Sequence, residues 1–232
     1  MLRSLSFVLL ALACVLLTSC GTTSGIRVKD TTRTFTTVVV DAGHGGKDNG
    51  AFRRHGGAEK NATLDVAQRL ARKLRESQFR VVMTRSSDVF IPLDQRAAIS
   101  NRQSNAIFVS VHFNDSRRRG IRGFETYYHS PVARNLAHRI QQHLRTLPGA
   151  ANRGVKTASF RVLRRAEYPA VLVECGFLSN RKEGAAARSA SRRDDLADKI
   201  AEAIVDERYG KGTYRAPASG SDAAATSSEH GQ

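Results

Sequence analysis

The stretch from Val38 to Ala51, Val-Val-Val-Asp-Ala-Gly-His-Gly-Gly-Lys-Asp-Asn-Gly-Ala, constrains the fold more than any other part of the chain. Three consecutive β-branched residues form a buried-type strand. The glycines at 43, 45, 46 and 50 then release the backbone into a turn that side chains would resist. His44 stands at that corner. In an open, mostly parallel sheet, ligands bind beyond the carboxyl ends of the strands, so a histidine held there between glycines is placed to meet a ligand or a metal. A tight turn with a surface histidine is the plainer alternative for so short a motif. Phosphate cradling is disfavoured, because no lysine and hydroxyl pair opens a helix directly after Gly-His-Gly-Gly.

Downstream, strand-type and helix-type segments alternate. Apolar residues at 62, 64, 66, 67, 70, 71 and 74 predict a helix from Ala58 to Ser77. Glu59 lies in its first turn or just before it, where the helix dipole favours a carboxylate whatever else that group does. Phe79 to Met83 reads as a strand, Pro92 to about Asn101 as a helix, and Ala106 to Phe113 as a second buried-type strand with His112 at its carboxyl end. Gly123 to His129 reads as a strand, Pro131 to Leu147 as a helix and Pro148 to Thr157 as a loop. Phe160 to Leu163 and Ala170 to Cys175 read as the last strands, the second ending in Glu174, and Arg192 to Tyr209 as a closing amphipathic helix.

This order predicts a single α/β domain over 37–209, with a largely parallel twisted sheet flanked by helices on both faces. The Gly/Ala/Ser/Thr-rich tail, 210–232, carries too little apolar surface to order itself. His44, His112 and Glu174 each end a different strand and Glu59 follows the first strand's loop, so one rim of the sheet can gather all four. Two imidazoles and one carboxylate with an open fourth position form a known catalytic zinc set, beside which a further acidic group can serve as general base.

At the amino terminus, Arg3, the apolar run Phe7 to Leu17 and the residues Leu17-Thr18-Ser19-Cys20 have the layout of an export signal, and the run falls short of the roughly 20 residues a membrane span needs. Residues 17 to 20 resemble the lipobox of bacterial lipoproteins. That resemblance implies a signal peptide over 1–19, a lipid anchor on Cys20 and a linker through residue 36. A plain secretory signal would leave Cys20 an unexplained free thiol. The expected location is the bacterial cell envelope, membrane-anchored and facing the periplasm or cell wall. Cys175 then has no intramolecular partner and reads as a small buried hydrophobe, so stability must come from an ordinary core.

The 37 lysines and arginines against 21 acidic residues give a formal charge of +16, which favours polyanionic partners. Export, and the lack of interleaved aromatics around Arg117-Arg118-Arg119 and Arg192-Arg193, argue against nucleic acid. Anionic lipid and carboxylate-bearing wall polymer remain, with a solvated basic face the plainer reading of any one cluster.

Taken together, Val40 to Ala51, Glu59-Lys60, Thr84-Arg85, Phe-Val-Ser-Val-His-Phe-Asn (108 to 114), Gly-Phe-Glu-Thr-Tyr-Tyr (123 to 128) and Pro-Ala-Val-Leu-Val-Glu-Cys-Gly-Phe-Leu-Ser-Asn (169 to 180) resemble the zinc-dependent N-acetylmuramoyl-L-alanine amidases of the Amidase_3 type. The resemblance covers about Val38 to Tyr209. It implies His44, Glu59 and His112 as zinc ligands and Glu174 as the catalytic glutamate. It also implies peptidoglycan as substrate, cut at the amide joining the lactyl group of N-acetylmuramic acid to the L-alanine of the stem peptide. A monomer is expected, and no sequence feature names a protein activator. His55 is a competing candidate ligand. Phe113 and Asp115 stand where smaller apolar residues are usual, which bears on substrate preference more than on the reaction. The interval from His112 to Glu174 is filled by strands and one ordinary helix, so an uncovered site is expected. A non-catalytic peptidoglycan-binding lipoprotein and a different wall zinc hydrolase, a carboxypeptidase or deacetylase, are the alternatives.

Overall fold

The computed structural model describes residues 26–118 and 120–210; the stretch read as a signal sequence, Cys20 and the residues from 211 onward lie outside the described residues. In chain order the strands are β1 (Thr37–Ala42), the hairpin strands β2 (Phe52–Arg53) and β3 (Gly57–Ala58), β4 (Arg80–Met83), β5 (Ala106–Asn114), β6 (Phe124–Tyr128), β7 (Asn152–Thr157) and β8 (Ala170–Phe177). The helices are α1 (Glu59–Glu76), α2 (Leu93–Asn101), α3 (Arg134–Leu144), α4 (Arg161–Arg164), α5 (Arg181–Ala187) and α6 (Ala190–Tyr209).

Six strands form one sheet in the order β4-β1-β5-β8-β6-β7. Every neighbouring pair is parallel except β6 with β8. The sheet is buried on both faces, which explains why β1, β5 and β8 read as nearly continuous apolar runs. Side chains alternate between two cores. Val38, Val40, Ile107, Val109, Val171 and Val173 join the larger one with Leu70, Leu74, Ile140, Ile200 and Ile204 of α1, α3 and α6. Val39, Phe108 and Leu172 join the smaller one with Val162 and Leu163 of α4. Phe35, within the stretch read as linker, is fully buried and stacks on Phe79 with ring centroids 5.4 Å apart. Among the described residues no helix is long and apolar enough to cross a membrane.

Two expectations fail. Residues 152–157, read as loop, form β7, a parallel edge strand paired only with β6. Its exposed and half-buried residues lack the apolar alternation that marks an interior strand. Phe160 to Leu163, read as a strand, instead leads into the one-turn helix α4. Its apolar pair Val162 and Leu163 packs against the sheet face, and a single turn is too short to display helical periodicity. The sequence also left α5 unread; Asn180 caps it by accepting the Lys182 and Glu183 N–H groups.

Candidate active site

Register gathers the predicted residues. His112 of β5 lies directly opposite Glu174 of β8, and Glu174 lies opposite Glu125 of β6. Because alternate residues share a face, the odd-numbered valines of β5 and β8 go to the larger core while His112 and Glu174 turn to the other side. The β5–β8 register shifts just beyond His112, a bulge that frees the strand ends at the rim.

The turn after β1 brings His44 to the same place. His44 has φ of 59°, in the left-handed region that non-glycine residues seldom adopt. Two buried arginines hold this loop. Arg96 donates to the carbonyls of Ala42 and His44, each at 2.6 Å, and Arg85 donates to those of Ala42 at 2.9 Å and Gly43 at 2.7 Å. Arg96 also pairs with Asp41 at 2.8 Å, and Asp41 accepts the Thr84 and Ser110 hydroxyls, each at 2.6 Å. Asp41 is wholly buried, so each carboxylate oxygen needs such a partner.

Glu59 is the first residue of α1 and is 4% exposed. Its Oε1 lies 3.1 Å from His44 Nε2 and 3.0 Å from His112 Nδ1, and accepts the Phe113 N–H at 3.0 Å. Its Oε2 accepts the Ala51 N–H at 2.9 Å. On the far side of His44, Nδ1 lies 2.9 Å from Asp48 Oδ2, a carboxylate–histidine contact that fixes the ring. Burial alone would raise the Glu59 pKa, but hydrogen bonds from His112 and His44 outweigh it and hold the carboxyl well below the usual range. Burial alone would lower both imidazoles, yet Glu59 raises them above their ordinary value. Glu174 is different. Burial pushes its carboxyl up to about 7, with His112 opposing and Glu59 and Glu125 adding to the rise, and its Oε2 is buried with no hydrogen-bond partner.

One ligand atom from each of His44, Glu59 and His112 lies within 4.8 Å of the others, so the trio could hold a metal ion. Packing protects that arrangement. A Cβ on Gly50 would sit 2.6 Å from both Glu59 Oε2 and His44 Cδ2, and one on Gly43 would fall on the His112 ring. Above the trio opens a cleft of about 750 Å³ with apolar walls at Phe90, Ile91, Leu93, Phe160 and Leu172. His44 and His112 keep 22% and 19% of their side chains exposed, so no described segment seals them.

The profile of the Amidase_3 family, N-acetylmuramoyl-L-alanine amidase, matches residues 38–206. The chain belongs to this family. It is 35% identical over 173 residues to the N-acetylmuramoyl-L-alanine amidase LytC of Bacillus subtilis, covering 73% of this chain and 35% of LytC, so it spans about a third of that relative. It is 36% identical over 179 residues to the endolysin of Bacillus phage SPP1, covering 73% of this chain and 65% of the endolysin. Among solved structures, the N-acetylmuramoyl-L-alanine amidase of Clostridium difficile superposes with a TM-score of 0.71 at 32% identity, covering 74% of this chain and 96% of that one. AmiC2 of Nostoc punctiforme does so with a TM-score of 0.71 at 35% identity, covering 73% and 95%.

Family membership does not decide which residues of this chain act, but geometry narrows the choice. His44, Glu59 and His112 converge, and Glu174 stands in register beside them. His55 does not join them; it lines a different cavity. Phe113 is buried in the larger core, whereas Asp115 lines the cleft and bonds to Arg53. Cys175 is buried, and burial drives its thiol pKa up, which suits a packing role. Sequence reasoning missed Asp41, Asp48, Arg96 and Glu125. Asp41 carried a signal, since a carboxylate inside a doubly buried strand demands partners. Glu125 lies in the Gly-Phe-Glu-Thr-Tyr-Tyr segment that carries the family resemblance, but only register sets it beside Glu174.

Proposed function

We propose that this chain is a zinc-dependent peptidoglycan hydrolase that cleaves the amide between N-acetylmuramic acid and the L-alanine of the stem peptide. The observation that carries this reading is the convergence of two imidazoles and the Glu59 carboxylate beside Glu174, whose Oε2 is buried and unpartnered. The donor set, two nitrogens and one oxygen with an accessible side, suits zinc with an open position. His44, Glu59 and His112 would hold the ion, which when bound supplies Lewis acidity to the scissile carbonyl and to the attacking water. Glu174 accepts a proton from that water at Oε2 as the new carbon–oxygen bond forms. It then delivers the proton to the L-alanine nitrogen as the carbon–nitrogen bond breaks, leaving a lactyl carboxylate and a free amine. Asp48 keeps His44 in the tautomer that offers Nε2 to the cluster. The apolar walls at Phe90, Ile91, Leu93, Phe160 and Leu172 give the substrate a surface to lie against beside the polar centre.

Residues 1–19 are proposed as a lipoprotein signal, Cys20 as the lipid anchor, 20–36 as linker and 37–209 as the catalytic domain, in a membrane-anchored envelope protein. One solved relative, CwlD of Clostridioides difficile, was captured in complex with the GerS lipoprotein, at 28% identity to this chain and a TM-score of 0.71.

The test is product analysis. Purified protein incubated with peptidoglycan should release intact stem peptides with free L-alanine amino termini; chelation should abolish release and zinc restore it. Release of D-alanine or acetate would instead identify a carboxypeptidase or deacetylase, and binding without products a non-catalytic wall protein.

A further inference from the structure

Beside the catalytic cleft lies a second cavity of about 870 Å³ that the reaction does not use. Arg53, Arg54, Arg117 and Arg181 line it, and no acidic residue takes part. Arg53 is neutralised by Asp115, its Nε donating to Oδ1 at 2.7 Å. Among the described residues no ion pair neutralises Arg54, Arg117 or Arg181. Three guanidinium groups in one concavity repel one another and focus a positive field, an arrangement that an anion relieves. Their planar forks match a carboxylate or phosphate in bidentate fashion.

Position indicates which anion. Asp115 lines the cleft together with His112 and Glu174, and Ser116 and Arg117 continue the same segment into the second cavity. The Arg53–Asp115 pair is thus a wall common to both. A stem peptide joined to the glycan by its amino end carries its carboxyl terminus, and any acidic side chains, away from the scissile bond. We propose that the arginine cavity is a subsite that binds a carboxylate of the stem peptide beyond the scissile amide, a reading that rests on the peptidoglycan substrate proposed above.

The experiment measures binding of a fluorescent stem tetrapeptide with free carboxylates, and of its fully amidated counterpart, to the full-length zinc-loaded protein. Wild type should bind the free peptide about tenfold or more tightly, the scale of one charge-assisted contact. Arg54→Gln combined with Arg181→Gln should erase that preference, and Arg117→Gln alone should reduce it, which keeps the test decisive if the double variant's melting shows it misfolded. Equal affinity of wild type for the two peptides, or a preference that survives both sets of substitutions, overturns the proposal. So does a double variant that loses sedimentation with phosphatidylglycerol vesicles while keeping its peptide preference, since the cavity would then serve lipid phosphate. Product analysis separates the two levels. Carboxylate preference without amide cleavage retires the amidase reading alone, and cleavage without preference retires the subsite alone.

Discussion

Replacing Arg96 by methionine tests whether the buried network under the β1 turn builds the site. The Arg96 side chain is 3% exposed and makes four bonds, to Asp41 Oδ1 at 2.8 Å and to the carbonyls of Ala42 at 2.6 Å, His44 at 2.6 Å and Ile91 at 2.9 Å. Methionine fills much of the volume but leaves the buried Asp41 carboxyl with only two hydroxyl donors. Removing one partner of a buried pair costs about 3–5 kcal/mol. For a domain of this size each kcal/mol lowers Tm by about 2–4 °C, so the expected loss is about 6–20 °C. Urea and thermal melts at pH 7 measure it. Asp41→Asn should also destabilise, and the double variant should lose less than the sum, with a coupling of at least about 1 kcal/mol. Freeing the His44 carbonyl should weaken zinc binding by about tenfold, by analogy with outer-shell partners of metal sites. A Tm within about 2 °C of wild type, or strictly additive energies, would refute the view that this ion pair supports the turn.

Glu174→Gln should retain zinc by elemental analysis but lose turnover by about a thousandfold or more, whereas His112→Ala should lose both; metal loss in Glu174→Gln would mean the roles are assigned wrongly. Gly50→Ala, with φ of +62° and a Cβ aimed at Glu59 and His44, should lower zinc affinity more than stability, read by competition with a chelating dye. At Asp194, partial burial pushes the carboxyl up, but Lys73 and Arg69 outweigh it and hold its pKa below the ordinary value. A depressed folded pKa contributes stability that is complete above about pH 4 and fades as pH falls through the folded value. Asp194→Asn should therefore cost about 0.5–1 kcal/mol at pH 7, a figure kept small by solvent screening, and progressively less as the pH falls below about 4. A stability loss in urea titrations that stays constant as the pH is lowered through the acid range would contradict this.

Local sequence was enough for much of this protein. Strand β1 and its glycine turn, helix α1 with Glu59 at its start, and strands β5 and β8 were legible because burial on both faces and helical periodicity leave strong local patterns. The edge strand β7 and the single turn α4 were not, since one has few buried residues and the other spans too little chain to show a period. Four candidate site residues could be named from strand ends and family resemblance, but nothing in the sequence sets their distances.

Only the tertiary structure decided those, through strand order and register. Placing β5 between β1 and β8 sets His112 opposite Glu174 and brings the β1 turn to the same rim. Likewise, pairing β6 antiparallel to β8 puts Glu125 beside Glu174. The physical reason is that register depends on how two faces pack at once, and a slip of one residue would turn His112 and Glu174 into the opposite core.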